Sequence, residues 1–289
     1  MEEPCILLVD NGSHRAEATL SLRRIAADLT EKSGRKVHPV SLLHSTKVDP
    51  AEIGGTPADI FEPFLKRQRE EHGTNSFLIV PLFFGHSAAI YEYLPQRVMN
   101  FWEKGWPNLE VRIAPCMVDI SDPSNTGVAE VLASLVRDKI AEEKLDRPAV
   151  TLVDHGTPRI AVNRVRNFLA GQLAELLVDD ASVVKPSSME RREGPEYEFN
   201  EPLLENILGS EGFERDVVLS MLFISPGRHA GPGGDIAEIC EEAEGEQDGL
   251  KTHMSDLFAT SPKVIDLLAN RLAQGLASDP IKGEVAVAS

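Results

Sequence analysis

Apolar and polar residues alternate along the chain in blocks that predict strands and helices in turn. Near-continuous apolar runs, typical of strands buried on both faces, occur at Cys5 to Asp10, Val37 to Leu43, Phe77 to Phe84 and Leu109 to Pro115. A second set of strand candidates covers Ala149 to Asp154, Ser182 to Val184, Val217 to Ile224 and Leu250 to Asp256. Between the strands, apolar side chains recur at helical spacing, first at Leu22, Ile25, Ala26 and Leu29. This alternation predicts an α/β fold with parallel sheets.

The pattern restarts near the middle of the chain, and the restart is also a sequence repeat. Residues Leu8 to Arg15 match Leu152 to Arg159, and each segment lies at the carboxyl end of the first strand of its set. Ligands of parallel open sheets bind at that edge. We therefore predict two similar halves produced by internal duplication, with residues 1–145 in the first half and 146–289 in the second.

Composition narrows the class of protein. The chain has 289 residues, 42% hydrophobic and 26% charged, as expected of a globular protein. With 46 acidic and 29 basic side chains, its formal net charge is −17, which argues against nucleic-acid binding. A polyanionic small molecule is still compatible, because such a ligand experiences only the local field of its cleft.

The sequence pattern shows neither a targeting segment nor paired cysteines. The longest apolar run, Phe77 to Phe84, is far shorter than the roughly 20 residues that span a bilayer. Cys5, Cys116 and Cys240 are scattered and form no metal-binding pair, so neither a disulfide framework nor a thiolate zinc site is indicated. With an acidic start that does not resemble a secretory signal, the sequence predicts a cytoplasmic protein that does not bind membranes.

One candidate for chemistry lies inside the repeat. Where the first half has Asn11, the second half has His155, just before a Gly-Thr pair at the end of a strand. A neutral imidazole at such a turn is a good metal ligand and proton acceptor near neutral pH. A histidine that only lines or caps the loop fits the same pattern, so His155 needs partners before a site is indicated.

A glycine- and proline-rich segment at residues 223–236 follows the third strand of the second half and carries Arg228 and His229. Its glycine spacing matches neither a P-loop nor a dinucleotide-binding fingerprint. A helix beginning near Gly234 would direct free N–H groups at the same sheet edge as His155. The segment is therefore a candidate site for a cation and an anion together.

A charged segment at residues 188–202 follows the second strand of the same half. Its charged residues are Glu190, Arg191, Arg192, Glu193, Glu196, Glu198 and Glu201. Most such segments are exposed loops, but this one leaves the sheet at the edge where we expect His155 and His229. Two imidazoles and a carboxylate, without thiolates, suit a divalent ion such as Co, Ni, Fe or Zn.

Together these segments resemble the class II tetrapyrrole chelatases, specifically the CbiX-type sirohydrochlorin cobaltochelatases with two fused halves. The resemblance is carried by residues 8–13, 80–84, 189–204 and 226–240. It implies two chelatase-like halves, each with three αβα layers around a parallel sheet. Members of that family insert a divalent metal into sirohydrochlorin, which bears eight carboxylates, using a His, a Glu and a second His after successive strands.

Carried over residue by residue, the resemblance implies that His155, His229 and Glu198 are the catalytic and metal-binding residues. Glu198 comes from aligning the family's Glu-x-x-Glu-Pro onto residues 198–202, with Glu190 and Glu196 as alternatives. In the first half Asn11 and Ala89 stand at the two histidine positions, and His86 lies three residues before Ala89. We therefore predict a degenerate site in the first half and the catalytic site in the second.

Several cationic side chains near the proposed edge are candidates for pairing with substrate carboxylates. They are Arg159, Arg191, Arg192 and Arg228, with Arg164 and Arg166 nearby and Asn11 from the first half. For each arginine alone, a surface ion pair is the commoner role. We expect a tetrapyrrole and a divalent metal as ligands and no resident cofactor beyond the metal substrate. A monomer is expected, because both halves are already fused.

The expected activity is metal insertion, a lyase-class reaction, with Co²⁺ as the first expectation and Ni²⁺ or Fe²⁺ as alternatives. Cobalamin and siroheme biosynthesis both use such a step. A different class of function, a non-catalytic metal-binding or metal-delivery protein, would use the same His and Glu residues. A metal-dependent hydrolase is disfavoured, because no Asp- and His-rich dinuclear pattern is visible.

Overall fold

The computed structural model describes residues 3–85, 87–231 and 233–281, and strands and helices alternate throughout these ranges as predicted. The first repeat comprises β1 (Cys5–Asp10), α1 (Ala16–Ser33), β2 (Val37–Ser41), α2 (Phe61–His72), β3 (Ser76–Pro81), α3 (Leu94–Glu103), β4 (Glu110–Ile113) and α4 (Gly127–Glu143). The second comprises β5 (Ala149–Asp154), α5 (Ile160–Leu176), β6 (Val183–Ser188), α6 (Leu204–Ile207), β7 (Asp216–Met221), α7 (Asp235–Glu246), β8 (Lys251–Met254) and α8 (Lys263–Ala277).

Both repeats build the same sheet. Four parallel strands lie in the order β2-β1-β3-β4 in one sheet and β6-β5-β7-β8 in the other, with helices flanking them. Equivalent pairs even share their register at the carboxyl edge, where Asp10 lies opposite Ser41 and Asp154 opposite Ser188. The prediction of a duplicated α/β fold is confirmed. In the second sheet the chain passes from β5 to β6 on one side and to β7 on the other, which makes the β5–β7 edge a topological switch point.

The apolar pattern explains why these segments form these elements. All six residues of β5 are buried, as expected of a strand covered on both faces. On α1 the predicted stripe of Leu22, Ile25, Ala26 and Leu29 is at most 3% exposed. The same spacing recurs on α5, where Val165, Leu169 and Leu173 are buried. Burying such side chains contributes about 1.5–3 kcal/mol each.

Strand ends differ from the sequence prediction for two physical reasons. The strand predicted at Ser182 to Val184 continues to Ser188, because Pro186, Ser187 and Ser188 pair with β5 although they are not apolar. The Thr151 hydroxyl donates to the Ser187 hydroxyl at 2.8 Å, which satisfies these buried groups. Other strands end earlier than predicted, as β3 does at Pro81, because the apolar residues that follow belong to loops at the sheet edge.

The packing units do not coincide with the boundary predicted between residues 145 and 146. One unit comprises the described residues of Met1–Asp119 and Ile265–Ser289, and the other comprises Ile120–Val264. The helix α4 follows the first sheet in sequence but packs on α5 and β7. Conversely, a Cβ at Gly275 of α8 would contact Ala114 and Leu78, so the last helix packs on the first sheet. The predicted boundary marks the sequence repeat and is wrong for the compact units, because the helix that ends each repeat belongs to the other unit.

The acidic surplus is partly a solvent-facing helix surface, as is usual for a run of like charges. Glu238, Glu241, Glu242 and Glu246 lie on α7 and are exposed. Over the ranges that the structure describes, no helix combines the length and apolar character needed to cross a membrane.

Candidate metal and substrate site

His155 is the first residue after β5, in a turn that brings two loops together. Gly156 has φ +89°, and a Cβ there would lie 1.8 Å from the carbonyl oxygen of Glu190, so only glycine fits. The amides of Met189 and Glu190 donate to the carbonyls of Asp154 and His155 at 2.7 and 3.2 Å. The parallel pairing of β5 and β6 therefore continues past the strands and places Glu190 beside His155.

His229 reaches the same edge from the loop after β7. Its Nδ1 lies 2.6 Å from Oδ2 of Asp235, the first residue of α7. The amide of Ile236 also donates to the His229 carbonyl at 3.2 Å, so the loop is fastened to the start of the helix. A Cβ at Gly234 would lie 2.9–3.0 Å from the backbone of Arg228 and His229, and a glycine there permits this close approach. The helix predicted to begin near Gly234 is confirmed.

The two imidazoles stand side by side at the switch point between β5 and β7. Their ring centroids are 4.4 Å apart with an interplanar angle of 80°. The side chains of His155 and His229 are 44% and 30% exposed, so both reach solvent. The juxtaposition expected from the sequence is therefore present in the structure.

Hydrogen bonds determine which ring nitrogen of each histidine is available. His155 Nδ1 lies 3.1 Å from the Gly156 carbonyl oxygen, and His229 Nδ1 lies 2.6 Å from the Asp235 carboxylate. Because a carbonyl and an ionised carboxylate only accept, both Nδ1 atoms carry the proton. In the neutral form of each ring, Nε2 then carries the lone pair, and the Asp235 contact is the carboxylate–histidine pairing that orients metal ligands.

Among the glutamates of residues 190–201, the one beside His155 is not the one that the alignment favours. Oε1 of Glu190 lies 3.6 Å from Nε2 of His155. Glu198 lies on a short 3₁₀ turn, Pro195–Asn200, with an exposed side chain, and forms no ion pair with the residues that the structure describes. Across those residues, no group of three or more His, Cys, Asp or Glu side chains is close enough to hold a metal. The structure thus brings the two imidazoles together and places Glu190 beside His155 without closing a three-residue metal site among the described residues, and a role for Glu198 stays a prediction.

The candidate arginines differ in their exposure and in the contacts that they make. Arg191 Nε is held 2.7 Å from Glu201 Oε1, and the Arg192 guanidinium lies 5.9 Å from the ring centroid of Tyr197. Arg228 is 75% exposed and lies 3.7 Å from Asp235, while Arg159 is exposed just before α5. Arg166 is only 1% exposed, so the placement of this arginine among possible substrate contacts was wrong.

A buried polar network that the sequence did not reveal lies beneath the site. Asp154 Oδ1 accepts from the Ser188 hydroxyl at 2.6 Å and from the Gly156 amide at 3.1 Å, and Arg166 Nη1 lies 3.8 Å away. Burial raises the pKa of the Asp154 carboxyl, while the Ser188 hydroxyl and the Arg166 guanidinium oppose that rise. Burial likewise lowers the pKa of Arg166, opposed by Asp154.

The first repeat keeps the scaffold but has no histidine at the two positions equivalent to His155 and His229. Asn11 follows β1 as His155 follows β5, and Ala89 follows the end of β3 at the same distance as His229 follows the end of β7. His86 lies outside the described residues. Leu22 occupies the place in α1 that Arg166 occupies in α5. The positions of Asn11 and Ala89 relative to their strands therefore agree with the alignment, in which the first repeat lacks both site histidines.

Comparison with known proteins identifies the fold. No sequence-family model and no curated protein matches the chain. The structure of SirB from Bacillus subtilis with Fe³⁺ is 15% identical, with a TM-score of 0.64, and the match covers 96% of both chains. The sirohydrochlorin chelatase SirB from Bacillus subtilis subspecies spizizenii, in complex with cobalt, is 14% identical with a TM-score of 0.59 over 97% of this chain and 100% of that one.

A third structure matches only part of a longer protein. DR2241 from Deinococcus radiodurans, a multi-domain protein with structural similarity to chelatases and two additional novel domains, is 15% identical with a TM-score of 0.60. The match covers 96% of this chain and 56% of DR2241. From these structures and the strand order, the chain has the two-half α/β fold of the sirohydrochlorin chelatases.

Proposed function

We propose that this protein is a metal chelatase that inserts a divalent metal ion into sirohydrochlorin or a closely related tetrapyrrole. The observation that carries the proposal is the pair of imidazoles, His155 and His229, with ring centroids 4.4 Å apart at the switch point of a chelatase-like sheet. The metal-containing structures of SirB support the reaction class. The second repeat is the catalytic one, since Asn11 and Ala89 replace both histidines in the first.

The proposal gives a task to each nitrogen. Metal insertion releases two protons from pyrrole N–H groups as one divalent cation enters the macrocycle. The Nε2 lone pairs of His155 and His229 hold the incoming metal and, once it has left, accept these protons. Asp235 stabilises the imidazolium of His229 through the 2.6 Å contact. General acid–base groups of this kind are worth about 10²–10⁴ in rate.

A carboxylate completes the set. Glu190 lies 3.6 Å from His155 Nε2 and can take a proton from the imidazolium or coordinate the metal. The family alignment favours Glu198, which lies on the same loop. Either residue adds an oxygen ligand to two nitrogens, a donor set that suits first-row divalent ions.

The carboxylates of the tetrapyrrole need cationic partners. Arg228 and Arg159 are exposed near the edge, and Arg192 is also exposed. Arg191, which pairs with Glu201 at 2.7 Å, is only 26% exposed, whereas Arg228 is 75% exposed. We propose Arg159, Arg192 and Arg228 as the principal contacts, with Arg191 secondary and Asn11 as an amide donor from the first repeat.

Metal choice and pathway extend the proposal. Co²⁺ is the proposed ion, which would place the reaction in cobalamin biosynthesis, whereas Fe²⁺ would place it in siroheme biosynthesis. Softness and geometry separate these ions poorly for a His₂–carboxylate set. We further propose that the protein acts as a monomer, with no resident cofactor besides the metal substrate.

The decisive experiment is steady-state metallation of sirohydrochlorin, followed by the absorbance change of the macrocycle with Co²⁺, Ni²⁺ and Fe²⁺ in parallel. Turnover above the uncatalysed rate that is lost in His155→Ala supports the proposal. His72→Ala, which removes an exposed imidazole at the end of α2, is the matched control. Metal binding without turnover would instead favour the metal-delivery function.

A further inference from the structure

The loop that carries the candidate glutamates is held at both ends by one buried side chain. We call residues 189–202 the carboxylate loop. The guanidinium of Arg166, on α5, is 1% exposed. Its Nη1 donates to the Ser188 hydroxyl, directly before the loop, and to the Asn200 carbonyl at 2.8 Å, near the end of the loop. Such a planar group with several donors suits a fixed junction between segments.

The same guanidinium is itself positioned. Its Nε and Nη2 donate to the Asn167 side-chain oxygen at 3.1 and 3.0 Å, and the Asn167 amide donates to Asn163 at 3.0 Å. The Ser188 hydroxyl in turn donates a hydrogen bond to the Asp154 carboxylate at 2.6 Å. The charge of Arg166 therefore lies between a buried carboxylate below the His155 turn and the backbone of the carboxylate loop.

Asn200 makes the second connection, from the loop to the His155 turn. This side chain is fully buried. Its oxygen accepts from the Thr157 amide at 3.0 Å, and its amide donates to the carbonyls of Thr157 and Tyr197 at 2.9 and 3.0 Å. Arg166 holds the backbone of Asn200, and Asn200 holds the turn that begins with His155.

The first repeat provides an internal comparison. There Leu22 takes the place of Arg166, and the Asp10 Oδ1 atom is buried with no hydrogen-bond partner among the described residues. That repeat also lacks both site histidines. The guanidinium at this helix position and the histidines at the two site positions are thus present together in one repeat and absent together in the other.

We propose that Arg166 is a positioning residue that clamps the carboxylate loop against the His155 turn and so sets the distance between Glu190 and His155. Arg166 touches neither metal nor tetrapyrrole, and it acts through Ser188, Asn200 and Asp154. The inference rests on the proposed function, because the geometry that it protects is that of the metal site.

The test measures Co²⁺ binding to the full chain by visible absorption, without tetrapyrrole, so that it does not depend on turnover. Arg166→Leu copies the first repeat, Arg166→Lys keeps the charge but loses the fork, and Asn200→Ala cuts the second connection without leaving a buried charge unpaired. Gln172→Ala is the matched control, because Gln172 is a buried polar residue of the same helix that bonds Pro123 and Asn125 instead. Circular dichroism identifies folded variants, and Asn200→Ala carries the test if Arg166→Leu does not fold.

We expect Arg166→Leu, Arg166→Lys and Asn200→Ala each to weaken Co²⁺ binding by about 10–100-fold, the usual effect of removing a residue that orients a ligand. Amide exchange should rise in residues 189–202. Gln172→Ala should change neither the Co²⁺ affinity nor the amide exchange of this loop. In a Glu190→Gln background the effect of Asn200→Ala on Co²⁺ affinity should largely disappear, because the carboxylate that it positions is gone.

Any of three results in the variants would overturn the clamp: unchanged Co²⁺ affinity in folded Asn200→Ala, full rescue by Arg166→Lys, or effects of Asn200→Ala that simply add to those of Glu190→Gln. Failure of wild-type protein to bind Co²⁺ would do the same. Wild-type protein that binds Co²⁺ but never metallates sirohydrochlorin would refute the proposed function alone, and the positioning role would stand on the binding data.

Discussion

In the first repeat the buried carboxyl of Asp10 has Leu22 where the second repeat has Arg166. The clearest physical consequence is that Asp10 makes the stability of the protein depend on pH. Burial raises the pKa of this carboxyl from 3.8 to about 6, and hydrogen bonds from Ser41 and the Gly12 amide only partly oppose the rise. Ser41 can donate because its oxygen accepts from Ser45 at 2.8 Å. Leu22, 3% exposed, offers no charge where the second repeat has Arg166. Between pH 3.8 and about pH 6, the folded protein therefore retains a proton on Asp10 that the unfolded chain releases.

The sign and size follow from this difference. Because the folded pKa lies above the unfolded one, the contribution of Asp10 to stability is complete below pH 3.8 and is lost as pH rises through 6. A pKa change from 3.8 to about 6 corresponds to about 3 kcal/mol at most. About 2 kcal/mol of it should disappear between about pH 4 and about pH 7.

Asp10→Asn removes the titrating group. The new amide has its own cost, but that cost does not depend on pH. The free energy of unfolding of the variant relative to wild type should therefore rise by about 2 kcal/mol between about pH 4 and about pH 7. Urea unfolding followed by tryptophan fluorescence measures it, since both tryptophans, Trp102 and Trp106, lie in the same compact unit as Asp10.

Glu31→Gln is the control, because it removes the same charge from an exposed position on α1. A stability difference between Asp10→Asn and wild type that stays constant over this pH range would refute the reasoning. So would an equal change in Glu31→Gln, since general charge repulsion would then explain both.

The remaining predictions concern the site. His155→Ala and His229→Ala should each lower sirohydrochlorin metallation by about 10²–10⁴ while leaving the circular dichroism spectrum unchanged, and near wild-type turnover in either folded variant would remove that residue from the mechanism. In a set of Glu→Gln variants over residues 190–198, the alignment predicts the largest rate loss at Glu198, whereas the 3.6 Å contact with His155 predicts it at Glu190; metallation rates decide between them. Asn11→Ala should alter the KM for the tetrapyrrole and keep kcat within several-fold of wild type, and a collapse of kcat would place catalysis in the first repeat as well.

Part of the site was predictable because its signals are local. His155 follows β5 directly and His229 lies in the glycine-rich loop that follows β7, so strand order alone brings them to one edge. Glu190 was ranked behind Glu198 because the family's Glu-x-x-Glu-Pro was aligned onto residues 198–202, and the strand predicted at Ser182 to Val184 was too short to show the register beyond it. In the structure the strand extends to Ser188, and its register with β5 leads to Glu190 beside His155.

The burial of Arg166 could not be predicted from its neighbours in sequence, for a different reason. In sequence it is one of several arginines near the edge, and an arginine on a helix is usually exposed. Its burial depends on Ser188, Asn200 and Asp154, which come from three other segments and meet only in the folded chain. Signals spread over long sequence separations leave no periodicity to detect.

The strand and helix pattern, the duplication and the histidine pair follow from the order of residues, because burial of strands and the direction of parallel crossovers are encoded in short stretches. Three features follow from packing instead. They are the assignment of α4 and α8 to compact units other than those of their own repeats, the contact of Glu190 with His155 and the burial of Arg166. A helix stripe specifies that a face must be covered but not by which sheet. A charged side chain likewise becomes a buried clamp only where distant backbone and carboxylate groups meet it.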